Sequence, residues 1–153
     1  MTARTSQPPE SPPDDRRNWM SVLSKADPAR LAELLPDLPP HDLLRAPEIG
    51  AVMVRGRQGG TGAPFNLGEM TVTRCSVRLP GGTVGHAMVQ GRDKDHARRA
   101  ALVDALMQGP DAAGVRARII APLAEGAAAR AHARAARAAA TKVEFFTMVR
   151  GED

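Results

Sequence analysis

Apolar residues change their spacing several times along this chain, and each change marks an expected element. Residues 1–16 hold four prolines among Ser, Glu and Asp and almost nothing apolar. Such a segment cannot offset its ordering entropy, so a disordered tail is expected there, followed by one α+β domain over 17–153. Order is expected from about Asn18: Trp19, Met20, Val22 and Leu23 give a short helix an apolar side, and Lys25 stands near its end. Asp27-Pro28 sets an N-cap beside a proline at the first helical position, and Leu31, Leu34 and Leu35 recur at helical spacing until Pro36 stops the run. From His41 to Arg57 the pattern turns extended, with Leu43-Leu44 as one short piece and Ile49 to Val54 as a better strand. Arg57 to Gly68 carries too much glycine for regular structure and reads as a loop.

Met70 to Leu79 returns to strand alternation. Cys75, Val77 and Leu79 share one face, and Arg74, Ser76 and Arg78 the other. Pro80-Gly81-Gly82 is the turn of a β-hairpin whose return strand runs from Thr83 to Val89. Asp93 caps a helix that reaches about Gln108 and is closed by Gly109-Pro110; Leu102, Val103, Leu106 and Met107 form its apolar stripe. A helix over Val115 to Ala121 is expected to break at Pro122, and an alanine-rich helix to follow from Leu123 to Ala140. Val143 to Val149 is the strongest strand pattern in the chain. The expected fold is therefore α+β: a small antiparallel sheet with a β-hairpin, packed by helices and preceded by a disordered N-terminal tail.

Composition narrows the kind of core. Hydrophobic residues make up 42% of the 153, but aromatics only 3%: Trp19, Phe65, Phe145 and Phe146. The core must be aliphatic and rich in alanine, which leaves room for a partner to complete some apolar surface. The formal charge of +4 permits an anionic partner without demanding one. Basic residues are mostly arginine, with lysine at positions 25, 94 and 142; coding bias toward Ala, Arg, Gly and Pro accounts for the excess equally well. One cysteine, Cys75, excludes an intramolecular disulfide and a cysteine zinc cluster, and its strand position suits a buried, inert thiol. No apolar run approaches the roughly 20 residues that span a bilayer, and no signal-peptide pattern opens the chain. A cytoplasmic protein without a membrane partner is expected.

Candidate chemistry gathers in the glycine-rich middle, where ten of the fourteen glycines lie between Gly50 and Gly91. Gly59-Gly60-Thr61-Gly62, flanked by Arg55 and Arg57, could form a backbone nest for phosphate oxygens, although a plain loop is the simpler reading. It lacks the Gly-Lys-Ser/Thr of a P-loop and the strand–glycine–helix context of a dinucleotide fingerprint. Arg92 and Lys94 stand where the next helix opens, a place that attracts anions; Asp93 and Asp95 there are ordinary capping residues. His86 and His96 could in principle pair as acid and base or hold a metal. No carboxylate cluster accompanies them, so no metal site is expected, and His41 and His132 are expected at the surface. Basic residues from Arg116 to Lys142 lack interleaved aromatics, and no nucleic-acid-binding motif appears, so no nucleic-acid partner is expected. No nucleophile–base or paired-carboxylate arrangement stands out. The residues describe a subunit better than a free-standing enzyme.

Several motifs, in order, cover nearly everything from residue 17 to 152. They are Trp19-Met20-Ser21-Val22-Leu23, Gly59-Gly60-Thr61-Gly62, Thr71-Val72-Thr73-Arg74, Gly91-Arg92-Asp93-Lys94 with His96, Ala101 to Gln108, Ile120-Ala121-Pro122-Leu123, and Phe145-Phe146-Thr147-Met148-Val149-Arg150-Gly151. Together they resemble the PhnG subunit of the carbon–phosphorus lyase core complex. The resemblance implies a part in phosphonate breakdown: with its partners, such a subunit helps replace the adenine of MgATP by an alkylphosphonate at the ribose C1′. It implies partners of the PhnI type above all, with PhnH, PhnJ and PhnL types, no cofactor held by this subunit alone, and no activity in isolation. It supplies no established catalytic residue. The expectation built on it is an anion-binding edge of Arg57, Gly59, Gly60, Thr61, Gly62, Arg92 and Lys94, with Trp19, Phe145, Phe146 and Met148 meeting a partner. A purely structural adaptor that touches no substrate is the alternative, and a small nucleic-acid-binding protein a more distant one.

Overall fold

The computed structural model describes residues 13–141; the strand expected over Val143 to Val149, with Phe145, Phe146 and Met148, lies outside them. Within that range the chain forms a three-stranded antiparallel sheet in the order β1-β2-β3, with helices packed on one face. The strands are β1 (Asp42–Arg57), β2 (Pro64–Arg78) and β3 (Val84–Gln90). Before them come α1 (Pro13–Ser24) and α2 (Pro28–Leu34). After them come α3 (Lys94–Leu106), α4 (Ala112–Val115), one π-helical turn (Arg116–Ile120) and α5 (Ala121–Ala140).

The core is the seam between α3 and the sheet. Thr73, Cys75 and Val77 of β2 and Val89 of β3 are buried against Ala97, Ala101, Leu102 and Ala105 of α3. The alternation that put Cys75, Val77 and Leu79 on one face is therefore the core face, with Leu79 packed at its margin. Alanine on the sheet side of α3 lets helix and strand backbones approach closely. Trp19, Leu23, Leu31, Val115, Ile119 and Leu123 close the other sides of α3. Asp27 caps α2 as its spacing predicts, its carboxylate accepting from the Ala29 N–H at 3.1 Å.

Four expectations about the elements need correction. Arg57 to Gly68 is not a loop, and Leu43-Leu44 and Ile49 to Val54 are not separate strands. β1 is continuous over 16 residues, β2 starts at Pro64, and only a 3₁₀ turn at Gln58–Gly60 and the residues to Ala63 remain between them. Glycine weakens a strand, but here each defect has a local answer. Gly56 lies under the Phe65 ring, whose edge would stand 3.3 Å from a Cβ there, and a bulge at Val54/Arg55 admits Leu67 as an extra residue. The tight turn uses Gly59 and Gly60 at φ of 57° and 82°.

Pro122, expected as a break, lies inside a helix that continues from Ala112 to Ala140. The preceding π turn explains it: the Ala121 N–H already reaches five residues back to the Arg116 carbonyl, so the next residue can lack a donor without orphaning a regular i−4 ladder. Order also begins earlier than Asn18, since α1 includes Pro13. Its first turns are anchored by ion pairs of Asp15 with Arg116 at 2.6 Å and of Arg16 with Asp104 at 2.7 Å, partners far along the chain that a local reading does not reach.

Beyond the Val72–Gln90 pair and the Gly91 N–H bond to the Thr71 carbonyl, β1 is the only strand beside β2 among the described residues. Residues 51–57 and 64–71 thus leave the body as a two-stranded arm, roughly 25 Å long at ~3.3 Å per residue. From Ala128 onward α5 is likewise exposed on every side. No helix among the described residues is long and apolar enough to cross a membrane.

Candidate functional site

The turn from β3 into α3 is built around Gly91 at φ 93°. Its N–H donates to the Thr71 carbonyl at 3.0 Å, and its carbonyl accepts from the Thr73 hydroxyl at 2.8 Å. Asp93 then caps α3, accepting from the His96 N–H at 2.9 Å. That fixed entry leaves Arg92 and Lys94 exposed beside the positive end of a 13-residue helix, with no ion pair among the described residues.

Arg57 and Gly59 to Gly62 sit elsewhere, at the tip of the arm. Arg57 donates to the Gly62 carbonyl at 3.2 Å, and the Gly62 N–H closes the turn on the Gln58 carbonyl at 2.7 Å. Arg57 pairs with Pro64, whereas Gly91 is bonded to Thr71, seven residues further along β2. At ~3.3 Å per residue the two cationic groups stand roughly 20 Å apart. They are two places on this chain and do not form one edge.

Trp19, expected against a partner, is 1% exposed and belongs to this chain's own core. Its indole N–H donates to Asp104 at 2.9 Å, and Arg116 lies over its ring 5.8 Å from the centroid. Asp104, which had no site role assigned to it from sequence, is fully buried. It accepts from Arg16 at 3.2 and 2.7 Å, from Trp19, and from the His86 backbone N–H at 2.9 Å. Gln108 bonds the Asp104 carbonyl at 2.9 Å and the Val84 carbonyl at 3.0 Å. One signal could have found this network: an ionisable residue directly beside Leu102 and Val103, inside the apolar stripe of α3.

The histidines do not meet as a pair. His86 is exposed, with Nδ1 2.9 Å from the Ser76 hydroxyl. His96 is buried, and its Nε2 lies 2.9 Å from the Leu23 carbonyl, so Nε2 carries the proton. Its Nδ1 is enclosed without a partner among the described residues. His41 is half-buried, Nδ1 2.7 Å from the Pro39 carbonyl, while His132 is exposed. Burial pushes the His96 pKa down, against the Leu23 hydrogen bond and the charges of Asp93 and Asp27. Burial likewise pushes the Cys75 thiol up, with Arg98 opposing, and its Sγ lies 3.4 Å from the Arg45 carbonyl. That is the setting of a packing thiol, not a nucleophile. No cluster of three or more His, Cys, Asp or Glu that could hold a metal occurs among the described residues. A groove of about 340 Å³ lies between α1 and β3, its lining including Arg17, Ser21, His86 and Ala100.

The His96 environment sets a pH dependence. A depressed pKa means that the unfolded chain takes up a proton first, so stability is complete above about pH 6.5 and declines as pH falls below it. Urea titrations at about pH 7.5 and about pH 5.5 should show a larger drop in midpoint for the wild type than for His96→Gln. Equal drops would assign the acid sensitivity elsewhere.

The family model described as phosphonate metabolism protein PhnG matches residues 14–151. The chain belongs to this family. It is also 49% identical over 145 residues, 90% of either chain, to a relative in Rhizobium meliloti (strain 1021), the alpha-D-ribose 1-methylphosphonate 5-triphosphate synthase subunit PhnG. The motifs that carried the resemblance, from Trp19-Met20 to the Phe145-Phe146 ending, all lie within the matched residues. The family's description places it in phosphonate metabolism, and the relative is named as a subunit of a synthase.

Proposed function

We propose that this chain is an accessory subunit of a cytoplasmic complex that transfers the ribose triphosphate of MgATP to an alkylphosphonate, with release of adenine. Its partners would be of the PhnI type first, then the PhnH, PhnJ and PhnL types, and it would be inactive alone. The observation that carries this reading is the match over almost the whole chain to a subunit named for the product of that transfer. Ribosyl transfer passes through a cation-like sugar, and water competes with the weakly nucleophilic phosphonate. A subunit that closes the site against water and holds anionic charge would favour the productive path. Arg92 and Lys94 suit that role: both are exposed, close together in sequence, and set beside a helix N-terminus whose N–H groups add to their field. The arm tip, with Arg57 and the Gly59–Gly62 turn, would contact an anion only at a second place.

The test is a reconstituted complex assayed for adenine release and phosphonate ribosylation with and without this chain. Arg92→Ala combined with Lys94→Ala should leave assembly intact and lower kcat/KM about tenfold or more, the scale of lost charge-assisted contacts to a reacting group. Full activity in the double variant would remove the substrate role. It would favour the adaptor reading, which draws on the wide separation of the two cationic groups and on an exposed apolar arm.

A further inference from the structure

Most of the exposed large hydrophobics among the described residues lie on the first two strands, three of them on the arm. Among the described residues, the large exposed hydrophobics are Leu43, Leu44, Ile49, Met53, Phe65 and Leu67 on β1 and β2, with Met88 alone on β3. We infer that the β1–β2 arm, residues 51–57 and 64–71, is inserted into a cleft of another subunit of the complex, apolar within and lined by carboxylates where it receives the tip. This rests on the reading of the chain as a subunit, and adds the surface and the kind of partner it fits.

Packing among the described residues does not account for the arm. There its pairing with β3 has ended, none of the described helices covers it, and a two-stranded ribbon in water is marginal by itself. Its apolar groups occupy both faces. Gly56 locates the first: a Cβ there would stand 3.3 Å from the Phe65 ring and 3.9 Å from the Leu67 Cβ, so Phe65 and Leu67 share the Gly56 face. Met53, three residues earlier on a regularly alternating strand, is on the opposite face. Phe65, Leu67 and Met53 are 44%, 66% and 52% exposed. A ribbon lying flat on a neighbour would bury one face only, whereas one entering a cleft buries both.

Charge selects the partner. The arm carries Arg55 and Arg57 near its tip against a single acid, Glu69, and neither arginine has a carboxylate partner among the described residues. A second copy of this chain brings a net +4, and a two-fold contact between arms would set these arginines near their own equivalents. A different subunit with acidic residues at the cleft satisfies both the apolar faces and the tip.

Co-expression with the partner subunits tests this. The wild-type chain should co-purify with them, while Phe65→Asp with Leu67→Asp should weaken association roughly 30-fold or more, as for the loss of a central interface anchor. Arg55→Glu with Arg57→Glu should weaken it too, with circular dichroism unchanged. A photo-crosslinking residue at position 67 of the otherwise wild-type chain keeps the test independent of how those variants fold. It should form an adduct with a different subunit. Adducts confined to a second copy, or arm variants that co-purify like the wild type, overturn the arm proposal and leave the subunit reading standing. A wild-type chain that fails to co-purify overturns both.

Discussion

Asp104→Ala should lower the stability of this chain by about 3–5 kcal/mol, the scale found when one member of a buried polar network is removed. The Asp104 side chain has no solvent exposure and gathers Arg16, the Trp19 indole, the His86 backbone N–H and, at 3.4 Å, the Gln108 amide. These donors do not lose equally. The Arg16 side chain is 35% exposed and can rehydrate, so its ion pair is the lesser part, and Arg16→Ala should cost only about 1 kcal/mol. The Trp19 N–H and the His86 N–H face the interior and would each be left without an acceptor, at about 1–3 kcal/mol apiece. Asp104→Asn should fall between, because an amide keeps the volume and one acceptor but turns an NH₂ toward donors. Urea unfolding followed by circular dichroism measures all three. A cost for Asp104→Ala no larger than for Arg16→Ala would mean that the carboxylate serves only its surface pair.

The same network explains what could be read from the sequence. Elements governed by neighbours along the chain were legible: the Asp27 and Asp93 caps, the Pro80-Gly81-Gly82 turn, and the alternation that puts Cys75 and Val77 inward all follow from local geometry. Features governed by distant partners were not. Arg16 looked like tail because its carboxylate lies 88 residues away, and Trp19 looked like interface because its acceptor lies 85 residues away. Pro122 and the glycines of β1 and β2 were read by their usual local effect, which a π turn and the Phe65 ring override. For the candidate cations, the spatial arrangement was not legible. The length of the β1–β2 arm puts Arg57 far from Arg92, and no local signal encoded that length.

The seam between α3 and β3 depends on one glycine. A Cβ on Gly85 would collide with the Ala101 carbonyl and stand 2.7 Å from the Ala105 backbone nitrogen and 2.8 Å from its Cβ. Two of the three obstacles are helix backbone, which cannot rotate aside as a side chain would. Gly→Ala in a strand ordinarily gains about 0.5–1 kcal/mol by restricting the unfolded chain. Overpacking against fixed atoms costs about 1–3 kcal/mol and sometimes more, so the clash wins. Gly85→Ala should therefore destabilise by about 3 kcal/mol, a fall in Tm of roughly 10 °C for a domain of this size. Gly68→Ala is the matched control, since nothing lies within 4 Å of a Cβ there, and its Tm should stay level or rise slightly. Because α3 must shift from β3 to admit the methyl, the Gly91–Asp93 entry that aims Arg92 and Lys94 should move with it. Assembly through the arm should be spared, while any activity that depends on those two cations should fall. A Gly85→Ala chain as stable as the Gly68→Ala control would show that helix and sheet are held less tightly than this contact requires.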